Sequence, residues 1–149
     1  MKKMFISSIF FIIIGFLLGN FIFTNQDFFK NIKTTDTYYI LQEGVYTDKT
    51  LLNSNLNKLK QKTIDYYNEK YHVYVGITKD LEVYEKLKTI YEKNGYKIFQ
   101  KQKNIKSLEF SSNVSQFDFL IKQTDEEDEI LTIEEVVLAN YDEILKKQS

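Results

Sequence analysis

Tyr71-His72-Val73-Tyr74-Val75-Gly76-Ile77-Thr78 is the stretch on which the fold turns. Tyr71, Val73, Val75 and Ile77 alternate with His72, Tyr74 and Gly76, the period of two that marks a β-strand. Before it, Asn68-Glu69-Lys70 makes a short turn. Thr63 to Tyr67, with Ile64 and Tyr66 alternating against Thr63 and Asp65, reads as an antiparallel partner. After it, Asp80 offers a helix N-cap, Leu81, Tyr84, Leu87, Ile90 and Tyr91 form an apolar stripe, and Asn94-Gly95 supplies the C-terminal stop.

Working outward, Tyr38 to Tyr46 is rich in aromatic and branched residues and reads as a first strand. Thr47-Asp48 caps a helix carrying Leu52, Leu56 and Leu59, and Tyr96 to Lys101 gives a last short strand. The order is strand, helix, strand, strand, helix, strand. It predicts an α+β fold, a split β-α-β (ferredoxin-like) four-stranded antiparallel sheet with two helices on one face. The other face is then open. Its outward positions bring together Ile40, Gln42, Gly44, His72 and Tyr74. The parity of the first strand is broken, because Glu43 falls on the face of Leu41; a bulge or an edge-facing side chain resolves it.

The N-terminus has a different character. Met4 to Phe23 is 20 residues without a charge, and 14 of them are Phe, Ile or Leu. As a helix it spans about 30 Å, the thickness of a bilayer's hydrocarbon core. Lys2 and Lys3 precede it and place the N-terminus in the cytoplasm. The competing reading is a cleaved signal peptide, but the run is long for one and no A-x-A-like site follows; the exit reads Gly19-Asn20-Phe21-Ile22-Phe23-Thr24-Asn25. Residues 1–23 are therefore expected to be a cytoplasmic stub and transmembrane helix, and 24–37 a juxtamembrane linker. Everything after Phe23 is expected to lie outside the cytoplasm.

Composition narrows the function. The chain has 149 residues, 20 basic and 21 acidic, a net charge of −1, which makes no electrostatic case for nucleic acid. It has no Cys and one His, which excludes disulfides, thiolate nucleophiles and multi-histidine metal centres. No phosphate loop, paired-carboxylate constellation or Ser/His/Asp set stands out, so neither an enzyme nor a cofactor is expected.

Two segments resemble a known family. Tyr39-Ile40-Leu41-Gln42-Glu43-Gly44-Val45-Tyr46 is similar to the opening motif of the sporulation-related repeat (SPOR) domain, and Tyr71-His72-Val73-Tyr74-Val75-Gly76-Ile77 to its second half-motif. The resemblance covers residues 38–103. It implies a bacterial envelope module that binds peptidoglycan glycan strands in division, sporulation or envelope maintenance, with division or sporulation proteins as further partners. Gln42 falls on a residue type that the family uses for glycan contact. Val45 replaces the small residue that often follows the family's first glycine, and His72 and Tyr74 stand at outward positions that commonly carry Arg. An aromatic ring packs on a sugar's apolar face and an amide bonds its hydroxyls, so Ile40, Gln42, Gly44, His72 and Tyr74 form the expected glycan site.

Residues 104–149 lie beyond the resemblance. Leu108, Phe110, Val114, Phe117 and Leu120-Ile121 suggest a short strand or loop leading into an amphipathic helix, and Ile130, Ile133, Val136-Val137, Tyr141 and Ile144-Leu145 suit a last one. The acidic run Asp125 to Glu129 lacks the pattern of a calcium loop and reads as a solvated helix start. Two readings of this tail stay open. It folds back across the open face, which blocks a glycan, or its apolar stripe meets a partner protein or a second copy. The second gives the alternative function, a protein-interaction scaffold without glycan binding.

Overall fold

The structure is a computed structural model that describes residues Asp36–Gln148. Met4–Phe23, expected to be a membrane anchor, and nearly all of the expected linker lie outside the described residues. Among those described, no helix is long and apolar enough to cross a membrane. They fall within one compact unit.

The elements are β1 (Asp36–Tyr46), α1 (Lys49–Leu56), β2 (Thr63–Tyr67), β3 (Lys70–Thr78), α2 (Leu81–Lys93), β4 (Phe99–Ile105), α3 (Leu108–Gln123) and α4 (Glu127–Gln148). The expected element order holds over the first six, and the four strands form one antiparallel sheet in the order β2-β3-β1-β4. The helix starts are fixed as their sequence indicates: the Asp48 carboxylate accepts the Thr50 N–H at 2.6 Å, and that of Asp80 accepts the Glu82 N–H at 2.8 Å. Asn68 and Glu69 both have positive φ, 50° and 60°, so the β2–β3 connection is a tight two-residue hairpin whose twist matches the strands.

β4 starts three residues later than its sequence suggests. Gly95, at φ 86°, ends α2; its N–H donates to Glu92 O at 3.0 Å, and the Tyr96 N–H donates to Tyr91 O at 3.0 Å. Tyr96 thus completes the helix cap, and its hydroxyl donates to Lys58 O at 2.7 Å. The strand begins once these bonds are made.

The larger correction concerns the second sheet face. Tyr38 and Tyr39 are adjacent on β1 and point to opposite sides. Tyr39 meets Tyr84 of α2 with ring centroids 6.1 Å apart, whereas Tyr38 meets Phe110 of α3 at 5.3 Å. The tail covers the face expected to stay open. Segment 108–123 is a single helix, not a strand or loop leading into one, and Phe110 and Val114 from it pack with Val137, Leu138 and Tyr141 of α4 on Tyr38, Ile40, Tyr74 and Ile77. The stripe proposed for a partner or second copy is therefore spent inside the chain's own core.

Two register shifts complete the sheet. Val75 is the extra residue on β3 between the pairs Leu41↔Gly76 and Gln42↔Tyr74, and Glu43 is the extra residue on β1 before Gly44↔Val73. The first shift moves Ile77 to the face of Tyr74 and His72. The second resolves the parity of β1 by a bulge and moves Gly44 to the α2 face.

Candidate functional site

The tail leaves one end of the second face uncovered. Ladder pairing puts Gln42 beside Phe99, Ile40 beside Lys101 and Tyr38 beside Lys103 on this face, with His72 beside Asp65 across β3 and β2. Tyr67 closes the group, its ring stacked on that of His72 with centroids 3.9 Å apart. Phe99 is 47% exposed and Val45 43%, so this end presents aromatic and aliphatic surface to water.

The polar groups are tied together. His72 Nδ1 lies 3.2 Å from both the Tyr67 hydroxyl and Gln42 Oε1. A protonated Nδ1 donates to Gln42, and a bare one accepts from Tyr67. His72 Nε2 is buried without a partner. Burial holds the ring below its ordinary pKa and Lys103 and Lys70 push it the same way against the pull of Asp65, so His72 is neutral near pH 7. Asp65 binds Lys103 in a salt bridge and accepts from the hydroxyls of Tyr74 at 3.5 Å and Tyr141 at 3.4 Å. Burial alone lowers Lys103, but the bonds to Asp65 and Tyr141 outweigh it and leave its pKa raised. Lys101 sits with its ammonium 4.5 Å from the centre of the Tyr67 ring and 5.9 Å from that of Tyr74. Burial, then the neighbouring Lys103, lower its pKa.

Of the five residues that the sequence puts in the glycan site, the structure keeps two at this uncovered end. Gln42 is half-buried there, and His72 is 9% exposed beside it. Ile40 and Tyr74 are wholly buried beneath the tail, because apolar groups on α3 and α4 cover them. Gly44 is on the other face, where an added Cβ would come within 2.9 Å of the Tyr46 ring. Tyr67, Phe99, Lys101 and Asp65 belong to the cluster and were missed. The signal for two of them lay in the sequence: Phe99 and Lys101 alternate with Gln100 and Gln102 once the strand is started at Phe99.

No family model matches the chain, and no curated protein or solved structure matches it.

A second polar cluster joins β1, the start of α2 and α3. Lys79 Nζ donates to Ser111 Oγ at 2.8 Å and pairs with Asp36 at 3.1 Å, and Ser111 also donates to Asp36. A serine beside a lysine is the material of a nucleophile and its base. Here Ser111 is 1% exposed and the lysine is held by a carboxylate, so the trio works as a clamp between elements. Among the described residues, no group of three or more His, Asp or Glu is placed to hold a metal ion.

Proposed function

We propose that this chain is a non-enzymatic bacterial envelope module, anchored in the cell membrane by Met4–Phe23, that acts as a protein-interaction scaffold through its domain outside the cytoplasm. The observation that carries this reading is the burial of Ile40 and Tyr74 under α3 and α4, which occupy the surface that a SPOR-like module would offer to a glycan. Lifting the tail would expose Tyr38, Ile40, Tyr74 and Ile77, at about 1.5–3 kcal/mol for each large apolar side chain. The total, on the order of 6–12 kcal/mol, matches or exceeds what a ligand of millimolar to micromolar affinity supplies, about 4–8 kcal/mol. A partner is therefore left with the uncovered end of the face. The runner-up keeps peptidoglycan glycan strands as the ligand at that end, where Gln42, Tyr67 and Phe99 give an amide and two rings suited to sugars.

Co-sedimentation of the detergent-solubilised full chain with purified sacculi, intact and amidase-treated, separates the two. The scaffold reading expects the chain in the supernatant in both cases. It also expects a photo-crosslinker at Phe99 to capture one discrete envelope protein in cells. Sedimentation abolished by Gln42→Ala and Phe99→Ala together would sink it in favour of the glycan.

A further inference from the structure

From Lys93 to Leu108 the chain carries five lysines and no acidic residue, although its overall charge is −1. Most of this stretch is β4, an edge strand, and lysines on an edge commonly guard against pairing with another sheet. Lys106 suits that role, whereas the Lys97 ammonium lies 5.1 Å from the centre of the Phe99 ring. Lys101 differs: its pairing with Ile40 sets it over the second face, not along the edge. Its ammonium is partly buried, resting on Tyr67 and Tyr74, and it makes no ion pair among the described residues. The carboxylate in reach of the cluster, Asp65, is already engaged by Lys103 and two tyrosine hydroxyls. A cation drawn partly out of water and left without an anion is an unfilled half of a charge pair. Beside it stand the half-exposed ring of Phe99 and the Gln42 amide.

We infer that the uncovered end of the second face binds a carboxylate carried on a flat or apolar body, with Lys101, seated on the Tyr67 ring, as its counter-charge and the Phe99 ring as its apolar wall. The amide of Gln42 supplies two donors for a carboxylate oxygen once its own oxygen is turned to the His72 ring. Lys103 and Lys70 add positive potential without competing for the ligand. The inference rests on the reading of the chain as a binding module, and it names the group that the module recognises.

The test is a titration of the full chain, in detergent micelles, followed by amide chemical shifts. Benzoate is the probe, and benzamide is its neutral isostere. Benzoate is expected to give saturable shifts centred on Gln42, Tyr67 and Lys101. Benzamide should bind about tenfold more weakly or worse, the worth of one charge-assisted hydrogen bond. Lys101→Gln should weaken benzoate by a similar factor, and Lys106→Gln should leave it unchanged. Should Lys101→Gln lose its dispersed spectrum, Lys101→Met, which keeps the apolar stem on Tyr67, takes its place, and the benzamide comparison on the native chain stands regardless. Equal responses to benzoate and benzamide, or shifts spread evenly over the surface lysines, would overturn the site. Tighter binding of phenyl phosphate than of benzoate would overturn the carboxylate assignment. None of these outcomes alters the crosslinking result, so the scaffold reading fails or stands separately.

Discussion

Glu134, wholly buried on α4, accepts the backbone N–H of Ile77 on β3 at 2.6 Å, while its second carboxyl oxygen has no partner. The reason lies in the sheet. β2 pairs with β3 only as far as Thr63↔Tyr74, so beyond Tyr74 the strand has no neighbour on that side. Two of its backbone groups there are met by side chains instead, Val75 O by the Tyr91 hydroxyl at 2.9 Å and Ile77 N–H by Glu134. An α2 residue and an α4 residue thus do the work of a missing strand, and the tail is tied to the sheet by a polar bond as well as by apolar packing.

That bond has a pH signature. Burial raises the pKa of Glu134 well above its ordinary value, and the nearby Asp118 raises it further against the effect of the Ile77 bond. The folded state therefore holds a proton that the unfolded chain releases above about pH 4.5. Stability from this group is full below that pH and falls as pH rises towards the folded pKa. Glu134→Gln keeps the acceptor and cannot ionise. The unfolding free energy from urea titration should change by less than about 1 kcal/mol at pH 4, and the variant should become the more stable protein as pH rises. Parallel curves for the two proteins across pH 4–9 would refute this. Glu134→Ala, which leaves the Ile77 N–H unmet, should cost about 1–3 kcal/mol or more at pH 4, a deficit that narrows as pH rises because the variant has no proton to release.

Asp118 of α3 makes the corresponding tie one turn of chain further on. Its carboxylate accepts from Thr78 Oγ1 at 2.6 Å and from the Lys79 N–H at 2.9 Å, yet burial dominates and pushes its pKa up to about 7. Native stability is then expected to drop between about pH 4 and 7, at up to roughly 1.4 kcal/mol per pH unit. Asp118→Asn should remove this slope and leave that of Glu134. A slope unchanged by the substitution would show that Asp118 titrates normally.

The central unit was legible in the sequence because its signals are local. Asp48 and Asp80 cap their helices through bonds to residues two positions away, and the β3 alternation needs no knowledge of the rest of the chain. Tyr96 was misplaced because its N–H and hydroxyl serve α2 and Lys58, bonds that a run of apolar letters does not reveal. The covered face was missed for a related reason. The spacing of Val114, Val137 and Tyr141 says which side of a helix is apolar, not what that side meets. The site suffered most, since it depends on parity. One extra residue at Glu43 sends Gly44 to the opposite face, and another at Val75 brings Ile77 over to join Tyr74.

Tyr141 tests how firmly the tail is seated. Its ring lies 6.3 Å from that of Tyr74 and 5.8 Å from that of Phe110, and its hydroxyl reaches Asp65. Tyr141→Phe removes only the hydroxyl, and Asp65 keeps Lys103, so a loss of about 0.5–1.5 kcal/mol is expected. Tyr141→Ala also opens a cavity between tail and sheet and should cost about 3–5 kcal/mol, with dye binding to newly accessible apolar surface. Near-equal losses in the two variants would mean that the hydroxyl, not the packing, holds α4 down.

The β2–β3 hairpin offers a gain in stability. Both turn residues adopt positive φ, which Asn tolerates and which costs a residue such as Glu69 about 1–2 kcal/mol against glycine. Glycine in turn loses more freedom on folding, roughly 0.5–1 kcal/mol, so the two effects partly cancel. The net expectation for Glu69→Gly is a stabilisation of about 0.5–1 kcal/mol, because Asn-Gly is the pair that this turn favours most. The change leaves Glu134 and Asp118 with their partners Ile77, Thr78 and Lys79, so the two pH slopes should persist unaltered. Denaturant midpoints measured on Glu69→Gly decide the matter. A lower midpoint than that of the native chain would show that Glu69 contributes an interaction outweighing its backbone strain.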